Sequence, residues 1–314
     1  MTHRVVFLGS PDFAVPSLNS LIDDRRFDVT LVVSQPDRRA GRGRRLTPPP
    51  VALRASNAGI PLFQPQSLRD DESAKRLSEA NPDVLVVVAY GEILTRRVLS
   101  IAPHGALNVH PSLLPKYRGA APVAAAVSRG DSATGVSIMK LVRRLDAGPV
   151  IATFPVEIPP DATTGSLTAD LADLAADRLP DVVAGWIDGT LHAVDQDESL
   201  ASYTREWTKA DGMIDWNIPA AAIERLVRAA LPWPVAWTMH DDARIQIRES
   251  RVYQGSGSEA VVPGGFEQSG ATIIVGTGDG WLEILTVQPE SKLPVAASLW
   301  WKNTGSISNK FQSQ

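Results

Sequence analysis

Short uninterrupted apolar runs alternate with amphipathic stretches through the first half of the chain. Val5–Leu8, Val29–Val33 and Asp83–Ala89 read as buried strands, because continuous Val and Leu runs suit a sheet covered by helices on both faces. Phe13–Ile22 carries apolar residues at helical spacing. It follows Gly9-Ser10-Pro11-Asp12, a turn in which Pro11 and Asp12 suit a helix start. Shorter strands are predicted at Leu107–Val109 and Val136–Leu141. A helix is predicted over Thr163–Val183, where Leu167, Leu171, Leu174 and Leu179 recur near helical spacing. This alternation predicts an α/β domain over residues 1–190, built on a Rossmann-like, doubly wound, mostly parallel sheet.

The texture changes after residue 190. Residues 191–208 are polar and mixed, and are expected to be a linker. Within 209–314, Ala220–Ala230 reads as a helix. Short alternating segments follow at Val235–Met239, Arg244–Arg248, Ala271–Gly276 and Trp281–Val287, punctuated by Gly and Pro. That pattern predicts a smaller antiparallel β-barrel or sandwich. Seven of the eight tryptophans lie after residue 200, so this region has a core of its own.

Composition narrows the chemistry. The length of 314 residues suits two domains. The absence of cysteine excludes disulfides, zinc–cysteine sites and a thiol nucleophile. No apolar run approaches the ~18–20 residues that span a bilayer, and the opening apolar run is too short for a signal peptide. A cytoplasmic protein with no membrane partner is expected. The net charge is −4, and residues 191–314 carry 10 Lys and Arg against 15 Asp and Glu. Nucleic acid would therefore have to be held by a local basic patch.

Two segments carry candidate chemistry. Asn108 and His110 alternate along one strand, so their side chains face the same way at a strand end, where open α/β sheets bind ligands. An amide NH₂ can donate to a developing oxyanion, and an imidazole moves protons near neutral pH. Asp146 follows a second strand, in a turn with Gly148; it could orient the imidazole or hold a water. Taken singly, each residue is as readily structural: a loop His is usually solvated, and an Asp before Gly usually makes a turn.

Asn108-Val109-His110-Pro111-Ser112-Leu113-Leu114-Pro115-Lys116-Tyr117-Arg118-Gly119-Ala120-Ala121-Pro122, with Leu145-Asp146-Ala147-Gly148-Pro149, resembles the folate-dependent formyltransferases. The resemblance implies a catalytic trio of Asn108, His110 and Asp146, 10-formyltetrahydrofolate as formyl donor, and no metal. It also implies folate contacts from Ser112, Leu113, Leu114 and Pro115, and from Tyr90, Gly91, Ile93 and Leu94 in a second family-like stretch, Val87–Leu94. Gly9–Ala14 is similar to the family's opening turn.

The acceptor is a separate question, since relatives that share the trio formylate a glycinamide ribonucleotide, an amino sugar or methionyl-tRNA. Gln35–Leu46 resembles the loop of the tRNA-directed members that engages the acceptor arm. Its five arginines, Arg38, Arg39, Arg42, Arg44 and Arg45, suit phosphate, although such a loop can equally be a solvated basic one. Asp211-Gly212-Met213-Ile214-Asp215-Trp216 and Pro232-Trp233-Pro234 are similar to hallmarks of their second domain, which implies an oligonucleotide-binding (OB-like) barrel. Initiator methionyl-tRNA is thus the expected partner of a monomeric enzyme, with an amino-sugar nucleotide as the alternative acceptor. A non-catalytic tRNA-binding protein on the same scaffold is a further alternative. The resemblance fades over Leu299–Gln314.

Overall fold

The computed structural model describes residues 2–40, 45–255, 262–270, 272–304 and 308–312. The chain runs β1 (His3–Gly9), α1 (Val15–Asp23), β2 (Phe27–Val33), β3 (Arg38–Ala40), β4 (Arg45–Thr47), α2 (Pro50–Asn57) and β5 (Leu62–Phe63). It continues through α3 (Asp71–Glu79), β6 (Val84–Val88), α4 (Arg96–Leu99), β7 (Ala106–His110), β8 (Arg118–Gly119), α5 (Pro122–Arg129), β9 (Ala133–Lys140), β10 (Val150–Glu157), α6 (Thr164–Ile187) and β11 (Tyr203–Thr204). Two compact units result. The first takes in Met1–Pro122, Ala133–Glu157 and Thr168–Thr204; the second takes in Val123–Ser132, Ile158–Leu167 and Arg205–Gln314. Residues 191–204, from the segment expected as a linker, are built into the first unit.

The first unit is organised by a seven-stranded sheet in the order β10-β9-β7-β6-β1-β2-β5. The strands from β7 to β5 are parallel, while β9 and β10 add antiparallel. The predicted parallel α/β domain is therefore present, with an antiparallel edge that includes one strand, β10, not predicted. Val5, Val6, Phe7 and Leu8 are all fully buried, as are Val84, Leu85, Val86 and Val88, the pattern of strands covered on both faces. The chain leaves β1 towards β2 and β5, then returns to place β6 on the other side of β1. The switch point lies between β1 and β6, and its crevice faces the carboxyl ends of the parallel strands.

The second unit adds α7 (Ala220–Ala229), β12 (Trp237–His240), β13 (Ala243–Tyr253), β14 (Phe266–Ser269), β15 (Thr272–Gly276), β16 (Trp281–Pro289), β17 (Val295–Ala296) and α8 (Ala297–Thr304). Its sheet is antiparallel, ordered β12-β13-β16-β15-β14, with β17 on β16. The last described residues join the two edges. Phe266 N–H donates to Asn309 O and Phe311 N–H to Gly264 O, on the β14 side, while Gln312 N–H donates to Met239 O on β12. The curled sheet is closed in this way, and the stretch where family resemblance fades supplies the closing segment. Phe311 is fully buried between Trp216 and Trp300, with ring centroids 5.5 and 5.8 Å away.

Candidate active site

Three loops meet at the switch point. Gly9 ends β1 where a Cβ would lie 2.9 Å from Val88 O and 2.8 Å from the Phe7 ring, so the close packing of β1 on β6 needs glycine there. Ser10 Oγ then donates to Tyr90 O at 3.4 Å and accepts from Gln35 N–H at 3.1 Å. One hydroxyl thereby ties the loops that follow β1, β2 and β6.

The loop after β6 holds four of the predicted folate contacts. Ala89 and Gly91 take positive φ values of 48° and 86°. Tyr90 and Leu94 turn inward and pack in the core beside Leu68 and Val98, whereas Ile93 stays 66% exposed. Burial pushes the Tyr90 phenol well above its usual value. Glu92 anchors the loop by accepting from Ser67 Oγ at 2.6 Å and from Leu68 N–H. Among the described residues, the N–H groups of Gly91, Ile93 and Leu94 have no protein acceptor. An exposed apolar side chain beside unpaired backbone donors can receive a flat heterocycle with hydrogen-bonding edges.

The second predicted folate segment is bound to its own loop. Ser112 is fully buried; its Oγ donates to Lys116 O at 2.6 Å and its carbonyl accepts from Ser137 Oγ at 2.7 Å. Leu114 N–H donates to Ser137 Oγ at 3.1 Å, and the Leu114–Pro115 peptide is cis. Leu113 packs over Gly135, where a Cβ would stand 2.6 Å from its Cδ2. The hydroxyl of Ser112 is thus spent on shaping the turn, leaving Leu113, Leu114 and Pro115 as its half-buried apolar surface.

Asn108 pairs with Val87 on β6 and Met139 on β9, and His110 with Ser137. The Asn108 side chain is half-buried and makes no hydrogen bond among the described residues. His110 is 4% exposed. Its Nε2 stands 2.9 Å from the Tyr117 carbonyl; a carbonyl only accepts, so Nε2 carries the hydrogen. That leaves Nδ1, which lies 3.7 Å from Asp146 Oδ2, as the nitrogen able to take a proton. Burial lowers the His110 pKa, and the charge of Asp146 and the bond to the Tyr117 carbonyl act against it.

Asp146 reaches His110 by an indirect route. Because β9 is antiparallel, its carboxyl end lies beside Leu107, away from His110. The following loop doubles back, with Asp146 at φ 45°. Gly148 is pressed so closely on β9 that a Cβ would sit 1.7 Å from Lys140 O. Gly119 N–H donates to Asp146 Oδ2 at 2.8 Å. The segment Tyr117–Gly119 therefore holds both His110 and Asp146 through backbone groups, and is itself pinned. Tyr117 N–H donates to Ser202 Oγ at 2.9 Å, and β8 pairs with β11. These backbone roles have no signature in side-chain identity.

Arg118 is fully buried, and its guanidinium bonds Gln196, Glu198 and Tyr203. Arg118 and Arg144 together hold the Glu198 carboxyl down at about 2. Gln196, Glu198 and Ser202 were not expected at the site, because they lie in a polar stretch of sequence with nothing local to mark them.

The arginine loop begins and ends as a hairpin, with Arg38 opposite Thr47, Arg39 opposite Leu46 and Ala40 opposite Arg45. Arg38, Arg39 and Arg45 are exposed and form no ion pair among the described residues. Arg42 and Arg44 lie outside the described residues. No group of three or more His, Asp or Glu suited to a metal occurs among the described residues. No helix of the described residues is long and apolar enough to cross a membrane.

A family model described as formyl transferase matches residues 3–183, and one described as formyl transferase, C-terminal domain, matches residues 206–305. A methionyl-tRNA formyltransferase of Roseiflexus castenholzii is 46% identical over 300 residues, covering 96% of each chain. One from Chloroflexus aurantiacus is also 46% identical, covering 95% of this chain and 96% of its own. Among solved structures, an N-formyltransferase from Helicobacter canadensis, in complex with folinic acid and dTDP-3-aminofucose, superposes with a TM-score of 0.66 at 16% identity. The match covers 92% of this chain and 100% of that one. HypX from Aquifex aeolicus, in complex with tetrahydrofolic acid, gives 0.63 at 13% identity, covering 100% of this chain and 51% of its own.

Proposed function

The chain belongs to the formyl transferase family, and on that footing we propose that it moves the formyl group of 10-formyltetrahydrofolate to the α-amino group of initiator methionyl-tRNA. The observation that carries the acceptor is likeness over nearly the whole length to methionyl-tRNA formyltransferases. Sugar formyltransferases resemble the chain in fold, at 16% identity. The site supports the reaction.

When bound, the folate supplies a formyl group on nitrogen; transfer makes a C–N bond to the acceptor amine, breaks the one to the folate, and leaves one proton on the folate nitrogen. Asn108, whose amide has no hydrogen-bond partner among the described residues, donates to the negative charge that gathers on the formyl oxygen. His110 keeps Nε2–H on the Tyr117 carbonyl and takes the amine's proton on Nδ1. Asp146, held by Gly119, stabilises the resulting imidazolium from 3.7 Å. Gly91, Ile93 and Leu94, with Leu113, Leu114 and Pro115, would hold the folate, and Tyr90 supports that loop from the core. The arginines at 38, 39, 42, 44 and 45 engage tRNA phosphates.

The test is incubation with 10-formyltetrahydrofolate and charged initiator tRNA, followed by ester hydrolysis. Release of N-formylmethionine is expected. Formylation of an amino-sugar nucleotide with none on the tRNA would overturn the acceptor.

A further inference from the structure

Gln196 uses all of its hydrogen-bonding capacity within one site. Its Oε1 accepts from Arg118 Nε at 3.0 Å and from Nη2 at 2.9 Å. Its Nε2 donates to Asp146 O at 2.8 Å and to Gly148 O at 2.7 Å. The partners fix the amide's orientation, since a guanidinium only donates and a carbonyl only accepts. An amide does both jobs at once: a glutamate accepts from arginine but cannot donate to carbonyls, and a lysine or methionine cannot accept as an amide does.

The two carbonyls belong to a loop that needs holding. Asp146 takes a left-handed φ of 45°, a conformation that is strained for a non-glycine residue and persists where surroundings enforce it. A second tie runs alongside, from Arg144 to Glu198 at 2.7 Å, and Glu198 also pairs with Arg118. Arg118 neighbours both Tyr117, whose carbonyl holds His110, and Gly119, whose N–H holds Asp146. Gln196 thus couples the backbone that fixes the histidine to the backbone that carries the aspartate.

We propose that Gln196 is a positioning residue for formyl transfer, holding the Asp146 loop so that the carboxylate stays opposed to His110 Nδ1. This rests on the catalytic reading of Asp146. It assigns a role in the reaction to a position 50 residues beyond Asp146 in sequence.

Steady-state kinetics on Gln196→Met, Gln196→Glu and Asp146→Ala test it, with formyl folate and charged initiator tRNA each varied and folding checked by thermal melting. Displacing a catalytic group by about 1 Å can cost roughly 10²-fold, so both Gln196 variants are expected to lose about that in kcat with KM for both substrates within about twofold. Gln196→Glu keeps an acceptor for Arg118 and loses the donors to the loop, so it must be no better than Gln196→Met. If Gln196→Met does not fold, Gln196→Glu alone decides. Wild-type kcat in Gln196→Glu, or a raised KM at unchanged kcat, would overturn the positioning role while loss of turnover in Asp146→Ala leaves the catalytic reading standing. Wild-type turnover in Asp146→Ala would overturn both.

Discussion

Asp146 Oδ2 is 2.8 Å from the Gly119 amide nitrogen and 3.7 Å from His110 Nδ1. The shorter contact is a hydrogen bond and the longer is not. The carboxylate is therefore fixed by backbone and offered to the imidazole, which it can stabilise once Nδ1 is protonated.

Asn108→Ala is expected to lower kcat by roughly 10²–10³-fold, the usual effect of losing one donor to a developing oxyanion. Its amide bonds no described residue, so stability should change by less than ~1 kcal/mol. Turnover on charged tRNA, beside a denaturation curve, checks both parts; wild-type kcat would remove Asn108 from the mechanism.

His110 should titrate below its ordinary value of about 6.5. Its folded pKa is lowered, so an unfolded chain takes up the proton first as pH falls. The stability it contributes is then full above about 6.5 and declines as pH drops towards the folded pKa. Asp146→Asn removes the charge that raises the value and should move the midpoint lower still. Imidazole NMR follows the titration, and a midpoint at or above 6.5 in the wild type would contradict the burial argument.

Gly119→Ala should disable the site. The residue has a φ of 107°, and an added Cβ would lie 2.2 Å from Thr204 O. The β8–β11 pairing must open, and with it the bond to Asp146. A loss above ~2 kcal/mol in stability together with at least a tenfold fall in kcat is the expected pair of readings.

Replacing Arg38, Arg39 and Arg45 by Ala should weaken tRNA binding while leaving folate affinity unchanged. If each neutralises one phosphate, the slope of log affinity against log salt becomes shallower by roughly 2–3, at ~0.7–0.9 per contact. A titration across salt concentrations measures it; an unchanged slope would mean that these arginines are only solvated.

Phe311→Ala tests the closing segment. The ring is fully buried among Trp216, Phe266 and Trp300, so truncation should cost about 3–5 kcal/mol. Urea denaturation followed by tryptophan fluorescence reads the second unit, which holds most of the tryptophans.

Much of this molecule was legible in its residues. The valine and leucine runs at 5–8, 29–33 and 84–88 read as covered strands because they are short and rich in β-branched residues, and they form the centre of the sheet. Alternation along β7 by itself puts Asn108 and His110 on one side, since side chains in a strand repeat every two residues. The family string around them supplied the reaction. What only tertiary structure decided is everything that depends on chain reversal. β9 is antiparallel, so the loop carrying Asp146 starts at the far end of β7 and must double back. The groups that hold it there are the backbone N–H of Gly119 and the side chain of Gln196, while the neighbouring Tyr117 carbonyl holds His110. Backbone donors leave no trace in residue identity, and a glutamine in a polar stretch looks like a solvated one until its partners surround it. The closing of the barrel by Asn309–Gln312 is of the same kind. Local sequence fixes which way a side chain faces along its own element; which distant element meets it is set by the packing of the whole chain.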